Sequence, residues 1–410
     1  MKHKADGLQR NWTLLVFVVL SMLVQISIGQ EDKVEVFSST YWMLVGPALI
    51  FPIFSIRQTL IGLLTSRACL LLIFGAVAGA WHLLHADIRA ASQLMLLVWV
   101  TAWVAGSRTR IFISDLVKLY IGLILIGIAI GIYTDMNVWG FFPGATREDY
   151  GVWRVSFFPN IANTGMLSLF MLLVLTKDRI TIVKHPIALA ICLYFLIFSF
   201  VRTAQIAALL YFFMRFWYAL GNYSNKREYY FWSAIIAAIT VLALIALSPF
   251  LLDSAQHFPI VSRLFLRGEE GLTTEEIFEQ AYRPWLWWQH FSLFSSSPGL
   301  MGLGSFEFGE VVDQSLSFEH VDMGSESLPT RLLASYGLPV VFFLAFITVG
   351  LRRRAYFADR WACACFPAII LLMMSWGSIF HPTNAFFVLF FALLLYGSEG
   401  FPEKYPPSID

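Results

Sequence analysis

Residues 116–133 read LVKLYIGLILIGIAIGIY, and Lys118 is the one charged side chain among them. A helix needs about 20 mostly apolar residues to cross the roughly 30 Å hydrocarbon core of a bilayer. A stretch of this length and composition therefore predicts a transmembrane helix.

The same pattern recurs along the chain. Eleven further apolar runs lie at residues 13–29, 41–56, 69–85, 91–106, 160–176, 184–201, 203–220, 231–252, 328–350, 361–379 and 383–397. Several are shorter than 20 residues, so we expect them to include flanking residues in the span. Pro47 and Pro52 interrupt the second run, where we expect a kink.

Composition leads to the same class of protein. Of the 410 residues, 58% are hydrophobic and only 13% are charged, and the mean hydropathy is +0.69. An average soluble domain has about 25% charged residues. We therefore expect an all-α integral membrane protein, a single polytopic domain over residues 1–410 with about twelve transmembrane helices and both ends in the cytoplasm. The net charge of +1 gives no long-range field that would attract nucleic acid.

The distribution of Lys and Arg between the runs predicts the orientation. With the N-terminus inside, 19 of the 28 cationic residues fall in inner segments. The nine outer cations include eight arginines: Lys33, Arg89, Arg147, Arg154, Arg202, Arg263, Arg267, Arg283 and Arg331. A guanidinium binds phosphate oxygens bidentately and stays charged in a poorly hydrated site, so this choice indicates an anion on the outer face. Arginines that snorkel at the interface are the alternative.

Two outer segments are longer than a turn. Residues 134–159 form a medium loop, and residues 253–327 form a long loop between the ninth and tenth runs. Loops as long as the second are usually functional. Within it, Thr273 and Glu276 have the spacing of a helix start with an N-cap and an acidic first turn.

The long loop also contains an aromatic segment and a glycine-rich segment. Residues 282–294 are amphipathic and include Trp285, Trp287 and Trp288, which could lie in the membrane interface or stack on sugar rings. Residues 297–306 read SPGLMGLGSF, a turn whose backbone amides could wrap phosphate. The spacing of a nucleotide-binding P-loop is absent, so spacing alone predicts a turn.

Other sequence signals predict structure rather than chemistry. The first run follows Lys2, Lys4 and Arg10 without a small-residue cleavage site, so we expect a retained signal anchor. The chain contains no HExxH and no CxxC motif, which gives a protein-bound catalytic metal little support. The four cysteines lie within or at the edge of predicted helices, where they fill space: Cys69, Cys192, Cys363 and Cys365.

Four segments between residues 154 and 340 carry a more specific pattern. In the first, residues 154–160 read RVSFFPN, an Arg before a Pro-Asn pair that opens a run. The second is the VRTA of residues 201–204, at a tight turn between two runs. The third starts at Arg283, continues through Trp287 or Trp288, and ends in the glycine-rich turn. In the fourth, nine residues separate the pair Glu326-Ser327 from Gly337.

These segments resemble the bacterial O-antigen polymerase and O-antigen ligase superfamily, membrane glycosyltransferases that use undecaprenyl-pyrophosphate-linked sugars. Ligases have a His where this chain has Glu326, and this difference favours a polymerase. The resemblance implies a GT-C-like helical bundle in the bacterial inner membrane, with its active site facing the periplasm. It also implies an undecaprenyl-pyrophosphate-linked oligosaccharide as donor and acceptor, a flippase and a chain-length regulator as working partners, and no cofactor.

The implied chemistry assigns roles to particular residues. Displacing a lipid pyrophosphate needs cations at the leaving group and a base near the incoming hydroxyl. The candidate cations are Arg202, Arg283, Arg154 and Arg263. Arg202 leads them, because a charge in a turn of a few residues between apolar runs is costly unless it faces a cavity.

Glu326 is the candidate base, since it lies where the long loop re-enters the membrane and partial desolvation would raise its pKa. His320 and Asp322, and also His290, are alternatives. Glu326 could instead pair with Arg331. Trp285 and Trp288 are the candidates for stacking on the glycan.

The sequence therefore predicts an inverting, metal-independent polymerase that joins lipid-linked oligosaccharide repeat units. An O-antigen ligase that transfers glycan to lipid A core is the nearest alternative. A transporter or flippase of lipid-linked glycans is the alternative from another class. A transporter usually shows related halves, and the chain has no internal repeat.

Overall fold

The computed structural model describes residues 12–27, 39–65, 68–107, 111–133, 155–158, 160–221, 225–255, 257–258, 273, 276, 282–304, 327–375 and 382–402. Within these ranges the regular structure is helical and contains no β-strand.

The helices follow the apolar runs of the sequence. In chain order they are α1 (Trp12–Ser27), α2 (Ser39–Phe54), α3 (Ile56–Leu64), α4 (Ala68–Leu84), α5 (Ile88–Gly106), α6 (Ile113–Tyr133), α7 (Ile161–Leu175), α8 (Arg179–Lys184), α9 (Pro186–Phe198), α10 (Arg202–Leu220), α11 (Lys226–Ala246), α12 (Ser248–Ala255), α13 (Tyr282–Ser296), α14 (Leu328–Tyr336), α15 (Val340–Tyr356), α16 (Arg360–Ser375) and α17 (Ala385–Tyr396). Each of the twelve runs overlaps a helix. The ninth run, residues 231–252, covers α11 and α12, and the tenth run, residues 328–350, covers α14 and α15.

Among the residues that the structure describes, three helices, α5, α6 and α11, are long and apolar enough to cross a bilayer. Helices α2 and α3 satisfy the same criterion as a bent pair. Six shorter apolar helices join them: α1, α4, α7, α9, α16 and α17. The described structure is thus that of a helical membrane protein. The number of spans, twelve, stays a prediction.

The surface of the bundle is apolar where its helices face outward. The exposed fraction of the side chain is 60% for Leu125 on α6, 70% for Leu209 on α10 and 60% for Ile236 on α11. Helix α17, in contrast, is buried on all sides from Ala385 to Leu395. A core helix without a polar face, surrounded by helices that turn leucine and isoleucine outward, is the pattern of a bundle in lipid.

The bend that we expected at Pro47 or Pro52 lies slightly further along the chain. Helix α2 continues through both prolines, and the chain turns at Ser55, so that α2 and α3 meet at 85°. The Thr59 hydroxyl donates a hydrogen bond of 2.9 Å to the carbonyl oxygen of Pro52, which replaces a helical partner lost at the turn.

The tenth run, predicted as one helix over residues 328–350, is also broken. Helix α14 ends at Tyr336 and α15 begins at Val340. Between them Gly337 has a φ of 65°, in the left-handed region that favours glycine. A Cβ atom at Gly337 would also overlap the backbone of Leu300 and Met301. The break therefore reflects both the backbone conformation and the close approach of a second segment.

Helices α7, α10 and α16 define two ends of the bundle. At one end, Val201, next to the start of α10, packs against Gly165 near the start of α7. At the other end, Arg215 Nη1 donates a hydrogen bond of 3.1 Å to the carbonyl oxygen of Lys177, just after α7. We refer to these as the Arg202 end and the Lys177 end.

Helix α16 runs from the Lys177 end to the Arg202 end. The Trp361 indole N–H donates a hydrogen bond of 2.8 Å to the carbonyl oxygen of Leu173, in the last turn of α7. Met374 lies thirteen residues further on, which is about 20 Å along a helix axis. Met374 is therefore at the same end as Arg202.

Candidate functional site

The first of the four segments packs into the bundle at the Arg202 end. The Val155 N–H donates a hydrogen bond of 2.9 Å to the carbonyl oxygen of Phe198, at the end of α9. The Ser156 hydroxyl lies 2.7 Å from the Thr164 hydroxyl on α7. Asn160 caps α7, accepting a hydrogen bond of 2.9 Å from the Ala162 N–H, which confirms that the Pro-Asn pair opens a helix.

The second segment lies directly beside the first. Phe200, in the turn between α9 and α10, has a φ of 52°, and the Gln205 side chain donates to the carbonyl oxygen of Ile197 at 2.8 Å. Arg202 is the first residue of α10 and is partly exposed. It therefore combines a guanidinium with the N-terminus of a 19-residue helix, where the helix dipole favours anions.

The third and fourth segments are hydrogen-bonded to each other. The Leu303 N–H donates to the carbonyl oxygen of Ala334 at 2.9 Å, and the Gly304 N–H donates to that of Ser335 at 3.0 Å. In return the Leu338 N–H donates to the carbonyl oxygen of Leu300 at 2.9 Å. The glycine-rich turn is thus hydrogen-bonded to residues on both sides of the break between α14 and α15.

This arrangement decides the role of the glycine-rich turn. The Gly302 N–H donates to the Ser297 hydroxyl at 3.1 Å, and the amides of Leu303 and Gly304 bond to α14. Because these amides are used within the protein, they cannot wrap a phosphate. The interpretation of this segment as a turn is correct, and its glycines allow close approach and positive φ.

The turn also reaches the corner between α4 and α5. A Cβ atom at Gly304 would overlap the Asp87 carboxylate. Asp87 caps α5 by accepting from the Ala90 N–H at 2.8 Å, and its other oxygen lies 3.9 Å from His82 Nδ1. This corner could not be predicted from the sequence, because a His in an apolar run and an Asp before a helix have ordinary structural explanations.

A second polar cluster joins α13 to α14. His290, fully buried, has its Nδ1 atom 2.7 Å from the Thr330 hydroxyl, which donates at 2.8 Å to the hydroxyl of Ser327. Burial, and to a lesser extent the nearby Arg331 guanidinium, lowers the pKa of His290 to about 3. A group with this pKa is a weak proton acceptor at neutral pH, so His290 fits a positioning role better than that of a general base.

Helix α13 has a buried face and an exposed face, but aromatic side chains lie on both, so the amphipathic pattern predicted from the sequence is not found. Trp287 is buried and donates a hydrogen bond of 3.2 Å from its indole N–H to the carbonyl oxygen of Met374. Trp288 faces outward with 69% of its surface exposed. The Ser327 hydroxyl lies 3.7 Å from the Met374 sulfur. Helices α13 and α14 are therefore both anchored to the Arg202 end of α16.

Several predicted site residues lie outside the described residues: Arg154, Arg263, His320, Asp322 and Glu326. The backbones of Arg283 and Trp285 lie in the first turn of α13, and the structure describes only the backbone of these two residues. Ser327, the chain neighbour of Glu326, is buried at the N-cap position of α14.

Thr273 and Glu276 make the hydrogen bonds expected of the predicted N-cap. The Thr273 N–H and hydroxyl both donate to the Glu276 carboxylate, at 2.7 and 2.9 Å, and the Glu276 N–H points back to the Thr273 hydroxyl at 3.3 Å. This reciprocal pattern is a capping box. The two hydrogen bonds from Thr273 lower the pKa of Glu276.

The described residues include no group of three His, Cys, Asp or Glu side chains that could hold a metal ion. All four cysteines are described, and they form no disulfide.

The chain was compared with known proteins. No protein-family model matches it, and no curated protein matches it.

Proposed function

We propose that this chain is a membrane glycosyltransferase that joins undecaprenyl-pyrophosphate-linked oligosaccharide repeat units. One observation supports this proposal most directly. The four segments that resemble the O-antigen polymerase and ligase superfamily form two contacting pairs, and both pairs lie at the Arg202 end of the bundle.

Arg202 is the best placed described residue for binding the leaving group. In the transfer, the bond between the anomeric carbon and the pyrophosphate oxygen breaks, and negative charge develops on that oxygen. A cation and a helix N-terminus at one point stabilise such charge more in the transition state than in the ground state. Arg283 is the second candidate, since it lies in the first turn of the helix that carries Trp287 and Trp288.

Glu326 is the proposed base. Its carboxylate would accept the proton of the acceptor hydroxyl as that oxygen forms its bond to the anomeric carbon. The pyrophosphate then leaves with the electron pair on the opposite face, so the configuration inverts. The hydrogen-bonded cluster of His290, Thr330 and Ser327 fixes the start of α14 next to Glu326, and the low pKa of His290 leaves the basic role to a carboxylate.

The experiment compares Glu326→Gln with Glu326→Asp in cells that make the polymer. Gln retains the shape but removes the basicity, so the long-chain ladder should fall by roughly 10²–10⁴-fold while lipid-linked repeat units accumulate. Asp retains basicity, so part of the ladder should remain. Glu310→Gln, in the same loop, is the matched control, and all variants are compared at equal protein level.

The same gel distinguishes the alternatives. Loss of a polymerase leaves single repeat units attached to lipid A core, whereas loss of a ligase removes every attached form. Loss of a flippase keeps repeat units from the outer face, so they would no longer be accessible to an impermeant lectin. A complete ladder from a normally expressed Glu326→Gln protein would show that Glu326 is not the base.

A further inference from the structure

A charged cavity of about 440 Å³ lies at the Lys177 end of the bundle. This volume falls within the range of small-molecule sites. The cavity is formed where the chain leaves α7, where it turns from α15 to α16, and where it leaves α17. Five cationic residues line it: Lys177, Arg179, Arg215, Arg354 and Arg360.

Three acidic residues also line the cavity, so its formal charge is +2 (five cations and three anions). Two of the three are used as caps. Asp178 accepts from the N–H and the hydroxyl of Thr181, at 2.8 and 2.9 Å. Asp359 accepts from the Ala362 N–H at 3.1 Å and the Ser398 N–H at 2.7 Å.

The third acid, Glu399, is exposed at the rim, 3.4 Å from Arg354. Lys177 also pairs with Asp178 at 3.8 Å, but three carboxylates cannot balance five cations, and the remaining charge of +2 favours an added anion.

Among the cations, Arg354 gives the strongest indication that the cavity binds a ligand. Only 3% of it is exposed, and its Nη1 atom donates to the carbonyl oxygen of Tyr396 at 2.6 Å. Its Nε atom is buried and has no hydrogen-bond partner among the described residues. Buried N–H groups nearly always have a partner, and an unmet donor on a charged group is especially costly. A ligand oxygen in the cavity would supply the missing acceptor.

Arg215 keeps donors beyond its hydrogen bond within the protein. It donates through Nη1 to the carbonyl oxygen of Lys177, and a guanidinium has five N–H groups. Lys177 is held by the carbonyl oxygens of Phe401 and Ser398, at 2.8 and 3.4 Å, and by an ion pair of 3.8 Å with Asp178. Lys177 therefore contributes positive charge to the cavity, and Arg215 contributes N–H donors.

We propose that this cavity binds a phosphate group, as the headgroup of an anionic phospholipid in the surrounding leaflet. Four of the five cations are arginines, whose planar fork matches phosphate oxygens. Basic pockets between membrane helices bind anionic headgroups in this way. Phe357 lines the cavity with 54% of its surface exposed, and Tyr356 beside it is 57% exposed. The Phe357 ring provides an apolar edge for the acyl chains, whereas the Tyr356 ring is covered by the Arg227 guanidinium, 4.3 Å from its centroid.

This site is independent of the proposed transferase reaction, since it lies at the opposite end of the bundle from Arg202. In the predicted orientation it faces the cytoplasm. The test uses the full chain purified in a neutral detergent. Native mass spectrometry measures retention of phosphatidylglycerol or phosphatidylcholine, and thermal unfolding is followed with each lipid and with inorganic phosphate.

The test variant is Arg179→Gln/Arg360→Gln, because both side chains are exposed and line the cavity. The matched control is Arg352→Gln/Arg353→Gln, which removes two exposed cations from the end of α15 outside the cavity. We expect the wild type to retain phosphatidylglycerol over phosphatidylcholine. Affinity should fall roughly fivefold for each cavity cation removed, about 25-fold in all, and little in the control.

Stabilisation by inorganic phosphate alone, lost in the cavity variant and without retention of phosphatidylglycerol, would support the phosphate site and assign it to a soluble ligand. Equal loss of lipid in both double variants would show general surface attraction and overturn the proposal. So would the absence of any response of the wild type to phosphatidylglycerol and to phosphate.

Discussion

The Nδ1 atom of His290 lies 2.7 Å from the Oγ1 atom of Thr330, forty residues further along the chain. This contact joins α13, which lies within the long loop, to the helix that follows the loop. Because both side chains are buried, the hydrogen bond fixes α13 against α14 in a region where water cannot replace a lost partner.

Thr330→Val tests this contact directly. The substitution keeps the shape of the side chain but removes the hydroxyl that both His290 and Ser327 contact. We expect a loss of about 1–3 kcal/mol in the free energy of unfolding, measured by denaturation in detergent. Thr348→Val on α15 is the control, since the hydroxyl of Thr348 bonds only within its own helix turn. Equal stability of the two variants would mean that the His290 contact contributes nothing.

The pKa of His290 predicts how stability depends on pH. Burial lowers it from 6.5 to about 3 in the folded protein, so between these values the unfolded chain binds more protons. The neutral His290 therefore contributes fully to the free energy of unfolding above pH 6.5. This contribution is lost as the pH falls, by at most about 1.4 kcal/mol per pH unit. His290→Gln should flatten the slope of stability between pH 6.5 and 4.5. An unchanged slope would contradict the assignment.

The glycine-rich turn should tolerate no side chain at Gly302. This residue has a φ of 84°, and a Cβ atom would overlap the backbone of Ser335. We expect Gly302→Ala to destabilise the protein by about 1–3 kcal/mol or more and to reduce polymer formation. Gly122→Ala is the matched control, because Gly122 lies within α6 with no atom within 4 Å of the added carbon. That change should be neutral or slightly stabilising.

Arg202→Lys tests the proposed pyrophosphate contact. The charge is retained, but an ammonium cannot form the bidentate fork. Loss of one such contact on developing charge costs about 2.7–4 kcal/mol, which corresponds to roughly 10²–10³-fold in rate. The long-chain ladder should therefore weaken at equal protein level. Arg57→Lys, at an exposed arginine on α3 outside both proposed sites, should retain it, and similar ladders from the two variants would remove Arg202 from the site.

Cysteine labelling tests the predicted orientation. In a background without the native cysteines, we expect Ser254→Cys and Thr273→Cys to react with a membrane-impermeant maleimide in intact spheroplasts. Both residues are exposed on the protein surface, so lack of reaction would reflect the side of the membrane. We expect Ser224→Cys to react only after the membrane is opened. The reverse pattern would invert the orientation and exclude a periplasmic site at the Arg202 end.

The sequence by itself determined where the helices lie, because a run of apolar residues has few ways to satisfy its backbone polar groups in lipid. It also determined local features that depend on neighbouring residues, such as the Asn160 cap and the capping box of Thr273 and Glu276. These are short-range effects, and they can be read from spacing.

Only the tertiary structure decided which distant segments meet. The break at Gly337 depends on the approach of Leu300, and the burial of His290 depends on Thr330. The cavity around Arg354 assembles cations from three separate parts of the chain, and no spacing in the sequence predicts it. Contacts between residues far apart in the chain arise from the packing of whole helices, which the local pattern of residues does not specify.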